Sequence, residues 1–140
     1  MKRLSICLLL LTFAACSSPR KVTPASNPDL PFSSAVQVGD TLYVAGHLGL
    51  DPLTGNAPAD PAIEAEAVLD AFQATIEKAG FAMKDLVHVR VFCSDVALYG
   101  VFNEAYRKRF SGDFPARAFI GSGTLLREAR FEVEGIAVAE

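Results

Sequence analysis

The sequence predicts an α+β sandwich, with two helices on one face of a mixed sheet, in the order β-β-α-β-α-β-β. Three observations lead there. Short runs dense in β-branched residues alternate with two stretches whose apolar residues recur at helical spacing. Turn formers and helix-end residues fall between those segments, where chain reversals belong. A chain of 140 residues, 51% of them hydrophobic, holds one compact core and has no room for a second.

Residues 1–15 do not belong with the rest. Lys2 and Arg3 form a basic start, an apolar run follows to Phe13, and Ala14 and Ala15 make a small-residue end. This is the layout of a signal peptide, and the run is too short for a spanning helix of about 20 residues. Cys16 comes next, so the leader resembles a bacterial lipoprotein signal in which Cys16 carries lipid. Ordinary signal cleavage is the alternative. Either implies export, and a lipidated Cys16 followed by Ser17 implies a periplasmic, outer-membrane-anchored lipoprotein. Residues 16–31 carry four prolines among Ser, Thr, Asn and Lys, which suits a flexible tether. The folded domain is expected over 32–140.

Within it, residues 34–38 and 41–46 read as a hairpin about the Gly39-Asp40 turn pair. Residues 46–60 form a loop rich in Gly and Pro. Asp60 is placed to cap a helix with Pro61 at its first position, and Gly80 to end it. Ala65, Val68, Leu69, Phe72 and Ile76 make its apolar stripe, with Glu64, Asp70 and Glu77 placed off it. Residues 86–93 read as a strand with Val87, Val89 and Val91 on one face and His88 and Arg90 on the other. A second helix is expected over 98–110, with Tyr99, Phe102, Tyr106 and Phe110 as its stripe and Arg107, Lys108 and Arg109 in its last turn. Two strands, 116–122 and 130–138, close the fold. No third helix is left to cover the other sheet face, so oligomerisation through it is the simplest expectation.

Composition removes several functions. A net charge of -3 and a pI of about 5.4, with no basic block, give nucleic acid no footing. The three cysteines are too irregular for a zinc site, and hydrolase, zincin and nucleotide-loop motifs are missing. No metal or cofactor is expected. His47, His88 and Cys93 read as ordinary polar or packing residues. Two features stand out. Arg117 follows Phe114-Pro115-Ala116 on a strand, where a fixed guanidinium can grip a carboxylate through two parallel hydrogen bonds. Arg130, Glu132 and Glu134 are expected to share one face of the last strand, opposite Phe131 and Val133.

Five stretches carry a resemblance: Val44 to His47, Asp51 to Gly55 with Pro58-Ala59-Asp60, Asn103-Glu104-Ala105-Tyr106, Phe114 to Arg117, and Phe131 to Val138. In this order and spacing they resemble the RidA/YjgF family over nearly all of residues 32–138. The resemblance implies a chorismate-mutase-like homotrimer with clefts between subunits. It implies an enamine or imine deaminase that needs no cofactor and converts small 2-imino acids to 2-oxo acids and ammonia. By position, Arg117 would clamp the substrate carboxylate, the Phe119 backbone would hold the imine nitrogen, and Glu132 would orient or deprotonate water. Gly46 and Asn103 would line the cleft. At three cleft positions where family members show Tyr, Ser and Cys, this chain has Phe32, Ala45 and Phe119. A non-catalytic trimeric module that binds small carboxylates or amino-acid-like ligands is therefore the alternative.

Overall fold

A computed structural model of the chain describes residues 19–139, and the leader and Cys16 lie outside them. Six strands, β1 (Arg20–Pro24), β2 (Ser33–Val38), β3 (Thr41–Leu48), β4 (Leu86–Cys93), β5 (Ala116–Gly121) and β6 (Phe131–Val138), form one sheet in the order β1-β2-β3-β6-β4-β5. Every pairing is antiparallel except β4 with β5. That parallel pair is joined by α2 (Tyr99–Arg107), the crossover such a connection requires. The longer α1 (Pro61–Lys78) links β3 to β4.

The α1 ends are written in sequence. The Asp60 side chain accepts a hydrogen bond from the Ala62 amide at 2.8 Å, and Pro61 follows with no N–H to leave unpaired. At the other end Gly80 has φ +88°, a left-handed conformation that costs glycine little. Its amide donates to Glu77 and that of Phe81 to Ile76, closing the helix as a Schellman turn. Val68, Leu69, Phe72 and Ile76 then bury completely against Leu42, Val89, Val91 and Val133 of the sheet. Contact is close at Gly135, where an added Cβ would lie 2.8 Å from the Phe72 ring and 2.9 Å from the His88 carbonyl.

The structure corrects four expectations. The segment read as a tether contains β1, whose residues pair with β2 in register from Arg20↔Val38 to Thr23↔Ala35. It buries almost nothing and is held by backbone hydrogen bonds, which no apolar pattern announces. Val87 does not join Val89 and Val91. It falls in a register irregularity between Leu86 and His88 and is exposed. Helix α2 starts at Tyr99 and stops at Arg107, short of Phe110, and a one-turn 3-10 helix, Val96–Leu98, leads into it from the Asp95 cap.

The fourth correction concerns Glu64 and Arg130. Glu64 is not off the stripe but fully buried, at 0% exposure. Its carboxylate accepts from the amides of Arg130 and Phe131 and from Arg130 Nη1. Arg130 therefore turns to the helix side, where it also donates to the Pro58 and Ala59 carbonyls at 2.8 and 3.0 Å, and does not share a face with Glu132 and Glu134. Its amide is tied to Glu64, which fixes the end of the 46–60 loop and the start of β6 at one point.

The sheet face away from the helices carries Val36, Tyr43, Ile136 and His88 in one cross-strand row and Phe92, Ile120 and Glu132 in another. No described element covers it, and Tyr43 is 53% exposed. No helix among the described residues is long and apolar enough to cross a membrane.

Candidate active site

One cleft, of about 230 Å³, opens between α2, β5 and the chain leading into β5. Tyr99, Asn103, Tyr106 and Arg107 line it from α2, at spacings that put all four on one helix face, and Phe114, Pro115 and Arg117 line it from the other side. Pro115 sets the backbone just before β5 begins at Ala116, and strand alternation then turns Arg117 and Phe119 to the helix side.

Arg117 is the centre of this cleft. Its Nη2 donates to Asn103 Oδ1 at 2.7 Å, and its guanidinium carbon lies 4.5 Å from the centroid of the Tyr106 ring. The rings of Tyr99, Phe102 and Phe119 stand at 5.8, 6.0 and 6.0 Å from the same carbon. A guanidinium held by one amide oxygen and stacked on an aromatic face is fixed in orientation. Among the described residues it has no carboxylate partner, so its other N–H groups remain available to a ligand anion.

The two tyrosines of the wall are shifted in opposite directions. Tyr99, partly exposed, is held below the ordinary phenol range by the Asn103 side chain and then by Arg117. Burial pushes Tyr106 up to about 12 against the opposing pull of Arg117. Its hydroxyl is therefore a protonated donor, and it is buried with no hydrogen-bond partner. The Phe119 ring packs edge-on against Tyr99 at 5.0 Å and meets Phe102 at 5.7 Å, so it braces the cleft wall from behind.

A second group gathers elsewhere. Ala45 and Gly46 sit in the irregularity between Val44 and His47 where β3 pairs with β6. Glu132 of β6 lies directly against Gly46. An added Cβ there would fall on Glu132 Oε1 and 3.0 Å from its Cδ, so only glycine leaves the carboxylate this position. Burial raises the Glu132 pKa above the usual carboxylate value, and the neighbouring Glu134 charge adds to it. Glu134 is itself paired with Arg90 at 2.8 Å. Phe32, 53% exposed, ends just before β2.

Within one chain the two groups do not meet. Arg117 is in register with buried Val89, whereas Glu132 is in register with Phe92 on the opposite face. Of the residues singled out from the sequence, Arg117, Asn103 and Phe119 come together on the helix side, and Glu132, Gly46 and Ala45 on the other. Tyr99, Tyr106, Arg107 and Phe114 were not expected in a site. The i, i+4, i+7, i+8 spacing of Tyr99, Asn103, Tyr106 and Arg107 was the available signal, obscured because two of the four also belong to the apolar stripe.

Two further titratable residues, His47 and Cys93, are engaged by hydrogen bonds within the fold. His47 Nδ1 donates to the Ala45 carbonyl and its Nε2 meets the Thr75 hydroxyl, both at 2.7 Å, and desolvation lowers its pKa. Buried Cys93 donates to the Asp95 carbonyl, and burial pushes its thiol up, away from nucleophilic use.

Comparison with known proteins agrees with this arrangement of strands and helices. The family model described as Endoribonuclease L-PSP matches residues 23–139, from within β1 to the last described residue. The chain belongs to this family, RidA/YjgF. The 2-iminobutanoate/2-iminopropanoate deaminase of Dermatophagoides farinae is 35% identical over 127 residues, covering 88% of this chain and 99% of that protein. A crystal structure of RidA from the Antarctic bacterium Psychrobacter sp. superimposes with a TM-score of 0.75 at 32% identity, covering 84% of this chain and 94% of the other. Escherichia coli TdcF, solved with bound serine, reaches a TM-score of 0.75 at 26% identity over 85% of this RidA-family chain and 94% of its own.

Proposed function

We propose that this chain is an exported imine deaminase that hydrolyses small 2-imino acids to 2-oxo acids and ammonia at clefts shared between copies of a homotrimer. The observation that carries the reading is Arg117, fixed by Asn103 and Tyr106 with its remaining donors unpaired at a cleft, in a family with relatives named for this reaction. A small 2-imino acid presents a planar carboxylate next to its C=N carbon, and bidentate binding to Arg117 would orient that carbon. Water adds to the carbon, giving up one proton to a base. The imine nitrogen takes up a proton at each step, the added hydroxyl gives up its remaining proton as the C–N bond breaks, and the products are the 2-oxo acid and ammonia. Only proton transfers are needed, so no cofactor is called for.

Glu132 is the carboxylate suited to take the water proton, because its raised pKa brings it closer to the working pH of a general base. It faces away from Arg117 in its own chain, so it would serve the cleft of a neighbour, and the uncovered face with Tyr43, Phe92 and Ile136 would form the contact. The Phe119 carbonyl or amide would hold the imine nitrogen. Export rests on the leader and Cys16, and anchoring would be shown by labelled fatty acid entering the wild type and not Cys16→Ala.

The test is ammonia and 2-oxo acid release from imines made in situ by an amino-acid oxidase. Acceleration by wild type that falls to background in both Arg117→Ala and Glu132→Ala supports the reading. A folded wild type no faster than background sinks it. In that event, stabilisation by 2-oxobutanoate in wild type and not in Arg117→Ala would establish a binding module, which the apolar residues Phe32, Ala45 and Phe119 also suit.

A further inference from the structure

Arg107 is a second cation in the cleft, and it is unspent. It lines the same walls as Arg117, one turn of α2 beyond Asn103. Its neighbours in sequence are engaged elsewhere: Lys108 pairs with Glu66 at 2.9 Å, and Arg109 pairs with both Glu66 and Asp70, tying α2 to α1. Arg107 has no carboxylate partner among the described residues, and Glu104, one turn back, makes no ion pair with it. The helix dipole accounts for a basic residue at this position, but equally for Lys108 and Arg109, so it does not explain why only Arg107 faces the cleft. No acidic side chain lines these walls. Arg107 is exposed to solvent at this cleft, and a single substrate carboxylate held by Arg117 leaves it free to meet a second anion.

Between the cations the walls are aromatic, from Tyr99, Tyr106 and Phe114. That lining suits a short methylene chain bearing an anion at each end. We propose that the preferred substrates are 2-imino acids with a second carboxylate, the class formed from acidic amino acids, with the first carboxylate on Arg117 and the second on Arg107. This deepens the deaminase reading and rests on it. The reaction balances as before, a 2-imino dicarboxylate and water giving a 2-oxo dicarboxylate and ammonia.

The experiment compares kcat/KM for imines generated by oxidases from glutamate or aspartate with those from 2-aminobutanoate or alanine. Wild type should favour the dicarboxylic imines, and Arg107→Gln should lower that preference about ten- to a hundredfold, the range of one charge-assisted hydrogen bond. Arg107→Lys should restore part of it. Hydrolysis of monocarboxylic imines without a dicarboxylic preference overturns the inference and leaves the deaminase reading standing. So does a preference that Arg107→Gln does not change. If no imine is hydrolysed, calorimetric titration with 2-oxoglutarate and 2-oxobutanoate decides the cleft's specificity separately. Tighter binding of 2-oxoglutarate, lost in Arg107→Gln, keeps the two-cation site while the deaminase reading falls; equal binding removes both.

Discussion

Replacing Glu64 by Ala tests whether a buried ion pair holds the front of the sheet. The side chain is fully buried, and it satisfies two backbone amides, those of Arg130 and Phe131, besides the Arg130 guanidinium, which is itself 30% exposed. Removing the carboxylate strands both amides and takes the counter-charge from a guanidinium that keeps only the Pro58 and Ala59 carbonyls. Breaking a buried pair from one side costs about 3–5 kcal/mol, a large share of the roughly 5–15 kcal/mol that stabilises a domain. Urea unfolding should show the midpoint falling by at least about 1 M. Glu64→Gln keeps an acceptor for the amides but sets its NH₂ group against the guanidinium, and should cost about 1–3 kcal/mol. Arg130→Met on the Glu64→Ala background should recover part of the loss, because it removes the unpaired charge. A Glu64→Ala protein within about 1 kcal/mol of wild type would refute the reasoning, since that is the size of an ordinary exposed pair.

Gly46→Ala should fold normally yet lose activity, on the order of a hundredfold, because its methyl group must displace the Glu132 carboxylate; unchanged kcat with an intact melting transition would contradict this. Glu132 works as a base only when deprotonated, so the rate should rise with pH through its raised pKa. Glu134→Gln removes the lesser of the two causes and should move that acid limb to lower pH in a kcat/KM profile, with the high-pH plateau kept. A limb that stays in place would mean Glu134 has no influence. Tyr106→Phe deletes a buried hydroxyl that bonds to nothing and should leave ligand-free stability unchanged or raise it by about 1 kcal/mol, read by thermal unfolding. A clear loss of stability would reveal a partner for that hydroxyl.

Where local chemistry alone decides an element, the sequence was explicit. Strand β4 runs from Leu86 to Cys93 as expected, and α1 begins at Pro61 and closes through Gly80 as its capping residues dictate. Strand β1 escaped notice because its order comes from pairing with β2, and partners 9 to 18 residues away leave no mark on the composition of Arg20–Pro24. Glu64 misled for a different reason. It stands four residues before Val68, at a stripe position, but a charged residue there is normally read as solvated until its cation, 66 residues on, is seen beside it. For the site, resemblance picked out Arg117, Asn103 and Glu132, while the aromatic wall and Arg107 required the helix to be set against β5. The face on which each strand residue lies also had to be known before Arg117 and Glu132 could be seen to be separated.

That separation bears on how the protein would behave in dilute solution. If hydrolysis needs Arg117 and Glu132 together, a lone chain owns two halves of different sites and no whole one. Specific activity would then fall on dilution as trimers dissociate, with the fold of each chain intact. Mixing an Arg117→Ala chain with a Glu132→Ala chain would regenerate some working clefts, because every mixed trimer has one boundary where an intact Arg117 meets an intact Glu132. Anchoring such chains to a surface through lipid on Cys16 would hold them at high local concentration, and so keep their sites assembled.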